Sequence, residues 1–477
     1  MSNQKKILII NRGEIATRIA KACRELGHVA VGVWTDNELN AKHLEFCHEW
    51  VHLQGSTNAE TYLNIDNIFK VIKENEIDAV HPGYGFLSES CEFARKLSKE
   101  NIIFIGPHVE AVRQMGDKAI SKQIAKAADI PVIPGSASAI PTVAEAKKIA
   151  KEIGYPILLK AVAGGGGRGM RACKDEKEIE DQFEVVQRES SAAFGNGDLL
   201  VEKLIVNPRH IEVQILADKK GNTYHFFERE CSIQRRHQKI IEEAPSPFIG
   251  NDEKLRQKIC NTAVKLSQAV KYDSAGTVEF IMGEDRNFFF LEMNTRIQVE
   301  HPITEEITGI DLIVCMIQAA LGEELGIPSQ EWITRSGHAI ECRICAEDPI
   351  TMLPSPGKVT GFESQFPQGT RFDHYLYRDL EVTPDFDPMV GKLITKGLLR
   401  SIAIRKMTCA LDGLLVEGLK TNIPLHKVIV RNKKFLAGNY STAFIVDEKP
   451  QEQVNVEINY LDIYKKLACI EARRMGI

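Results

Sequence analysis

In the first hundred residues, short apolar runs alternate with amphipathic stretches. The runs are KILII (6–10), VAVGVW (29–34), EWVHL (49–53), IDAVH (77–81) and IIFIG (102–106), with EIATRIAKACREL and NIDNIFKVIKE among the stretches between them. No other feature narrows the fold so far. Strand–helix–strand units of this size predict a parallel sheet wrapped by helices. Two glycine-containing turns, NRGE (11–14) and HPGYGFLSE (81–89), follow strands here. Turns after parallel strands line the crevice where ligands bind.

At 477 residues the chain is too long for one core, so about three packed units are expected. From Val109 to Asp129 the pattern is helical, and IPVIPGSASAIP (130–141) reads as a linker. A short α+β unit follows: a helix at 142–153, a strand in YPILLKAV, the loop AGGGGRG, a strand MRAC, a helix near 176–193 and a strand LLVEKLI. The remainder is mixed, with strands in HIEVQILAD, TYHFFERE, AGTVEFIM, NFFFLEM, HAIECRICAED and KLITKGLL. A net charge of −5 gives no electrostatic case for nucleic acid. The N-terminal MSNQKKILII is too short for a signal peptide, and no window approaches a membrane span. Eleven scattered cysteines, an odd number, argue for reduced thiols in a cytoplasm. The close pair Cys342 and Cys345 is expected to be two partly buried thiols, because a lone C-x-x-C is poor zinc evidence.

The chemistry begins at AGGGGRGM. Gly164, Gly166 and Gly169 fit G-x-G-x-x-G, but a strand candidate follows where a dinucleotide fold needs a helix, so the loop reads as a hairpin tip. Consecutive glycines leave backbone N–H groups free to cradle a polyphosphate, and such a tip should close as a mobile lid. No G-x-x-x-x-G-K-[ST] is present, which excludes a P-loop. Lys160 ends an apolar strand just before the glycines and Lys118 lies in MGDK; phosphate oxygens are the obvious partners for both. Glu202, Lys203 and Leu204 are candidates to line a purine pocket.

LEMNTRIQVEHP (291–302) is polar at nearly every second position directly after a run apolar on both faces. Glu292 here and Glu279 in GTVEFI lie on strands joined by a short loop, so antiparallel pairing would bring two carboxylates together. Their repulsion is relieved by a cation, and Mg²⁺ bridging ATP phosphates, with Asn294 completing the site, fits. The basic run CSIQRRHQK (231–239) offers Lys239, which with Arg296 would hold a small anion; Glu300 nearby is a candidate base. Spacing alone leads to an ATP-dependent ligase acting on a small anion.

Ten stretches carry a more specific resemblance: NRGEIATRI, HPGYGFLSE, GPHVEAVRQMGDK, KAVAGGGGRGMR, NPRHIEVQ, CSIQRRHQK, EEAPSP, EMNTRIQVEHPITE, ECRICAEDP and LPSPGKV. Across residues 5 to 445 the chain closely resembles the biotin carboxylase subunit of biotin-dependent carboxylases, a member of the ATP-grasp superfamily. The resemblance implies α/β and α+β architecture: a Rossmann-like domain over 1–115, a helical linker 116–131, an ATP-grasp lid 132–204, and the ATP-grasp core with a C-terminal domain over 205–447. A helical extension is expected over 448–477. The implied reaction has two steps. ATP and bicarbonate give carboxyphosphate, and the carboxyl group then passes to N1 of biotin on a carrier protein.

Carried over by position, Lys118, Lys160, Glu202, Lys203, Leu204, His210, Gln234 and His237 resemble ATP ligands, and Gly166 and Gly167 lie in the phosphate lid. Glu279, Glu292 and Asn294 resemble the Mg²⁺ (or Mn²⁺) site, the two carboxylates also counting as ATP contacts. Lys239, Arg296, Gln298 and the backbone of Val299 resemble the bicarbonate site, and Glu300 the base. Arg343 resembles the group that stabilises biotin's enolate oxygen, and Tyr84 a biotin contact. No A-M-K-M-like biotinylation site is present, so the expected partners are a separate biotin carboxyl carrier protein and a carboxyltransferase, in a homodimeric cytoplasmic enzyme. The acceptor is open among acetyl-CoA (the first half-reaction of fatty acid biosynthesis), pyruvate and 2-oxoglutarate. Competing readings are another ATP-grasp ligase making an acyl phosphate, or a nicotinamide-binding or nucleotide-sensing protein using 164–169.

Overall fold

The computed structural model describes residues 4–38, 40–136, 138–162, 170–194, 197–236 and 238–454. The first hundred residues form the predicted parallel sheet. Its strands are β1 (Lys6–Ile9), β2 (Val29–Trp34), β3 (Glu49–His52), β4 (Ala79–His81) and β5 (Ile103–Phe104), in the order β3-β2-β1-β4-β5. The helix Gly13–Glu25 packs Ile15, Ala16, Ile19, Ala20 and Cys23 inward, the three- and four-residue spacing of an amphipathic helix. Glu14 is buried on the same helix, which an apolar face does not tolerate without a partner.

The stretch expected to be helical from 109 to 129 is two helices, Val109–Gly116 and Lys118–Ala127, divided at Asp117. The Asp117 carboxylate accepts from the backbone N–H groups of Ala119 and Ile120 and so caps a new helix. The Pro/Gly/Ser stretch that follows is stitched in place by bridges Val132↔Phe290, Gly135↔Glu202 and Ile140↔Leu199.

Three antiparallel strands, β6 (Ile157–Ala161), β7 (Met170–Cys173) and β8 (Leu199–Lys203), pair in the order β7-β6-β8. Lys160 stands opposite Met170, so the glycine loop does join a hairpin. The loop itself, with Gly164, Gly166, Gly167 and Gly169, lies outside the described residues, as do His237 and residues 455–477 of the expected helical extension. Helices Val143–Ile153 and Glu176–Phe194 flank this sheet over a small core of its own, including Ile157, Leu159, Phe183 and Val201.

The remaining scaffold is an eight-stranded sheet. Its first six strands are β13 (Phe288–Asn294), β12 (Ala275–Met282), β9 (Arg209–Ala217), β10 (Thr223–Arg235), β11 (Gln238–Ala244) and β14 (His338–Cys345). Met389–Gly397 and Thr370–His374 complete it, and every neighbouring pair is antiparallel. The basic run spans a hairpin. Its first half continues β10 through Arg235 and is largely buried, Arg236 lies in the turn, and Lys239 returns on β11. Cys342 and Cys345 are buried rather than partly buried, because β14 is covered on both faces; all ten described cysteines are free thiols.

Candidate active site

Glu279 is the hub of the site. It stands opposite Glu292 on β13 and opposite Glu212 on β9, so three acidic side chains meet across three adjacent strands. Its Oε1 accepts from Lys239 Nζ at 2.8 Å, Asn294 Nδ2 at 2.9 Å and Gln298 Nε2 at 3.0 Å. Its Oε2 lies 3.1 Å from His210 Nε2, and Gln234 Nε2 meets the other ring nitrogen at 3.0 Å. Burial would push the Glu279 carboxyl up, but Lys239 and His210 overcome it and hold it well below the usual range. Arg296 joins from the turn, donating to Asn294 Oδ1, Gln298 Oε1 and Glu89.

Glu300, at the N-cap of the helix His301–Thr308, is fully buried. Its Oε1 accepts from Lys239 Nζ at 2.8 Å and its Oε2 from Arg343 Nη2 at 2.9 Å. Lys239 and Arg343, with Arg229 behind them, overcome the effect of burial and keep Glu300 ionised far into acid. Lys239 also donates to Glu212, whose other oxygen takes Arg229 Nε. Arg343 Nε donates to Glu242 at 2.6 Å; burial, only partly offset by Arg343, pushes the Glu242 carboxyl up to about 7. The polar alternation of 292–300 thus serves one centre, the strand supplying Glu292 and Asn294 and the turn supplying Arg296, Gln298 and Glu300.

A second set gathers on the three-stranded unit. Glu202 pairs with Lys122 Nζ at 2.8 Å and with Lys160 Nζ at 3.6 Å. Lys203 instead donates to the carbonyls of Gly154 and Tyr155, a contact that ties β8 to its own unit. The Leu204 N–H donates to Pro156 O at 3.1 Å, a backbone contact within the same unit. Lys118 is 85% exposed and reaches only to 3.9 Å from Glu292. Among the described residues, Tyr84 and Arg343 line one cleft of about 290 Å³, together with Glu14, Gln238 and Val299. The Tyr84 hydroxyl donates to Glu14.

Sequence reasoning singled out neither Glu212, Arg229, Glu89, Glu242 nor Glu14 as a site residue. The available signal was a charge inside an otherwise apolar strand, as in HIEVQIL, which needs a buried partner.

The residues fit a divalent cation of the Mg²⁺ or Mn²⁺ type. Glu279, Glu292 and Asn294 offer hard oxygen donors, and Glu292 is pushed up by burial and by Glu279, which Lys118, His210 and Lys239 only partly offset. His210, Glu212 and Glu279 also cluster with metal-ligand spacing, but the Lys239 ammonium already bonds both of those carboxylates.

Three sequence families match the chain: "Biotin carboxylase, N-terminal domain" over 3–112, "Carbamoyl-phosphate synthase L chain, ATP binding domain" over 117–327, and "Biotin carboxylase C-terminal domain" over 341–447. Biotin carboxylase 2 of Bacillus subtilis is 47% identical over 440 residues, covering 92% of this chain and 98% of that protein. One of the pyruvate carboxylase subunits of Methanothermobacter thermautotrophicus is 46% identical over 92% of this chain and 89% of its own length. The crystal structure of the 2-oxoglutarate carboxylase biotin carboxylase domain dimer of Hydrogenobacter thermophilus, with MgADP, ADP and bicarbonate, is 45% identical. It superposes with a TM-score of 0.84 over 94% of this chain and 98% of that one.

Proposed function

Since this chain belongs to the biotin carboxylase family of ATP-grasp ligases, we propose that it carboxylates biotin on a separate carrier protein, using ATP, Mg²⁺ and bicarbonate. The observation that best supports this reading is Glu300, a buried carboxylate shared by Lys239 and Arg343 and one lysine away from Glu279. A base, an anion clamp and a metal-type carboxylate therefore converge on one ammonium.

Bicarbonate binds against Lys239, Arg296, Gln298 and the Val299 backbone. Glu300 alone, gripped by two cations, is a feeble proton acceptor. The incoming anion takes up part of the Lys239 and Arg296 charge and adds a negative neighbour, which raises the Glu300 pKa toward what proton removal requires. The deprotonated oxygen attacks the γ-phosphorus of ATP; the bond to ADP breaks and carboxyphosphate forms. A divalent cation at Glu279, Glu292 and Asn294 supplies charge neutralisation of the phosphates. Lys160, Glu202, Lys203, Leu204, His210 and Gln234 act with Lys118, His237 and the Gly166–Gly167 lid in holding the nucleotide.

The C–O bond of carboxyphosphate breaks to give CO₂ and phosphate; the phosphate takes the biotin N1 proton, Arg343 shares the negative charge that develops on the ureido oxygen, and N1 bonds the CO₂ carbon to give carboxybiotin. The cleft lined by Arg343 and Tyr84 receives biotin. Among the described residues no helix is long and apolar enough to cross a membrane, and the enzyme is proposed to work in the cytoplasm as a homodimer with a biotin carboxyl carrier protein and a carboxyltransferase. Acetyl-CoA carboxylase, feeding fatty acid biosynthesis, is the proposed parent assembly. A two-subunit pyruvate or 2-oxoglutarate carboxylase is the second reading, favoured by relatives named for those enzymes. Free biotin should stimulate bicarbonate-dependent ATP hydrolysis; an ATPase indifferent to biotin would refute the assignment. The carrier that co-purifies with the chain decides between the two parents.

A further inference from the structure

Behind the bicarbonate turn stands a lysine for which the reaction as described has no use. Lys392 lies within the strand Met389–Gly397 and is 0% exposed. A buried ammonium must be compensated. Its Nζ donates to the Val299 carbonyl at 2.9 Å and lies 3.2 Å from Glu14 Oε2. Glu14 Oε1 takes the Tyr84 hydroxyl, so one carboxylate joins Lys392 to the cleft wall. In cross-strand register Lys392 stands opposite Arg343. Two cations there repel, and they are drawn to different acceptors: Arg343 to Glu242 and Glu300, Lys392 to Glu14 and the Val299 carbonyl. Glu341 is buried close by, and both of its carboxylate oxygens lack a hydrogen-bond donor.

We propose that Lys392, with Glu14, is a positioning residue for the bicarbonate step, an inference that rests on the carboxylase reading above. The Val299 carbonyl belongs to the peptide unit that carries the Glu300 N–H. Anchoring that oxygen fixes ψ of Val299, and with it the direction in which Glu300 leaves the backbone toward Lys239. The anchor is also the link between the NRGE turn of the N-terminal domain and the reaction centre. The Glu14 helix, the Tyr84 turn and the Val299 turn meet at this single ammonium.

The test is steady-state ATPase with free biotin, with bicarbonate and ATP varied separately, alongside direct measurement of ATP binding. Wild-type protein is measured first. If it shows no biotin-stimulated, bicarbonate-dependent turnover, the carboxylase reading itself fails before any variant is considered. Lys392→Met should lower kcat/KM for bicarbonate about 10- to 100-fold, the loss expected when a charge-assisted hydrogen bond that positions the base is removed. The Kd for ATP should stay within about twofold, because the anchor touches no nucleotide contact. A parallel loss in ATP affinity and in bicarbonate kcat/KM would mean that Lys392 only supports the fold, and would overturn the proposal. Unchanged bicarbonate kinetics would overturn it equally. Should Lys392→Met fail to fold, Glu14→Gln serves in its place: it keeps an acceptor for Tyr84 and removes the charge facing Lys392. Bicarbonate kcat/KM should then fall with the ATP Kd held, and wild-type bicarbonate kinetics in that variant would refute the role.

Discussion

Replacing Glu300 by Gln removes the proton acceptor and its charge, keeps one oxygen as an acceptor, and turns an amide N–H₂ toward Lys239 or Arg343. The side chain keeps its shape in a fully buried site. Lys239 retains Glu212 and Glu279, and Arg343 retains Glu242, so neither cation is stranded. That redundancy separates this change from the usual removal of one partner of a buried pair, which costs about 3–5 kcal/mol in stability. The proposed nucleotide contacts are untouched, so Mg-ATP should raise the melting temperature of the variant as much as that of wild type. Catalysis should suffer far more. A positioned general base contributes about 10²- to 10⁴-fold, or roughly 3–5 kcal/mol at 1.36 kcal/mol per tenfold. The assay is phosphate release with Mg-ATP, bicarbonate and free biotin, beside a thermal shift with Mg-ATP alone. Turnover within about tenfold of wild type, less than the smallest contribution expected of a base, would refute the assignment of Glu300.

Arg343→Ala should reduce biotin-dependent carboxylation by about 10²- to 10³-fold, the cost of losing a donor to a developing oxyanion; ATP affinity should hold, and near-wild-type carboxylation would remove Arg343 from the biotin step. Lys239→Met leaves Glu212, Glu279 and Glu300 converging without the ammonium they share, so the variant should lose about 3–5 kcal/mol of stability as well as activity, read as a lowered urea midpoint. Glu242 titrates near 7 in the folded protein against an ordinary 4.5. Because its folded value is raised, its stabilising contribution is complete below about pH 4.5 and is lost as pH rises through 7, a change of about 3 kcal/mol. Glu242→Gln should therefore gain about that much on wild type between pH 5 and pH 8, measured by urea unfolding at both; a constant difference between the two proteins would show that Glu242 titrates normally.

Local patterns made much of this protein legible before any coordinates. Strand–helix alternation is a property of neighbouring residues, and it specified the parallel sheet. The short loop GEDRN between two apolar runs specified a hairpin, and with it the juxtaposition of Glu279 and Glu292. The glycine loop declared itself a hairpin tip because a strand candidate, not a helix, follows it. The basic run and the polar turn made Lys239, Arg296 and Glu300 candidates for an anion site and its base, and family resemblance made the anion bicarbonate; nothing in the spacing of Lys239 and Glu300 requires them to touch.

Tertiary structure alone decided which charges share a partner. Lys239 bonds Glu212, Glu279 and Glu300 because β9, β12, β11 and the 295–300 turn are brought together by sheet order, and sheet order is set by packing across long sequence separations. The same holds for Lys392, which meets Glu14 from the far end of the chain. A buried charge in a sequence announces that it needs compensation, but not from where. That is settled only when the cost of desolvating each ion is weighed against the partners the fold can place beside it.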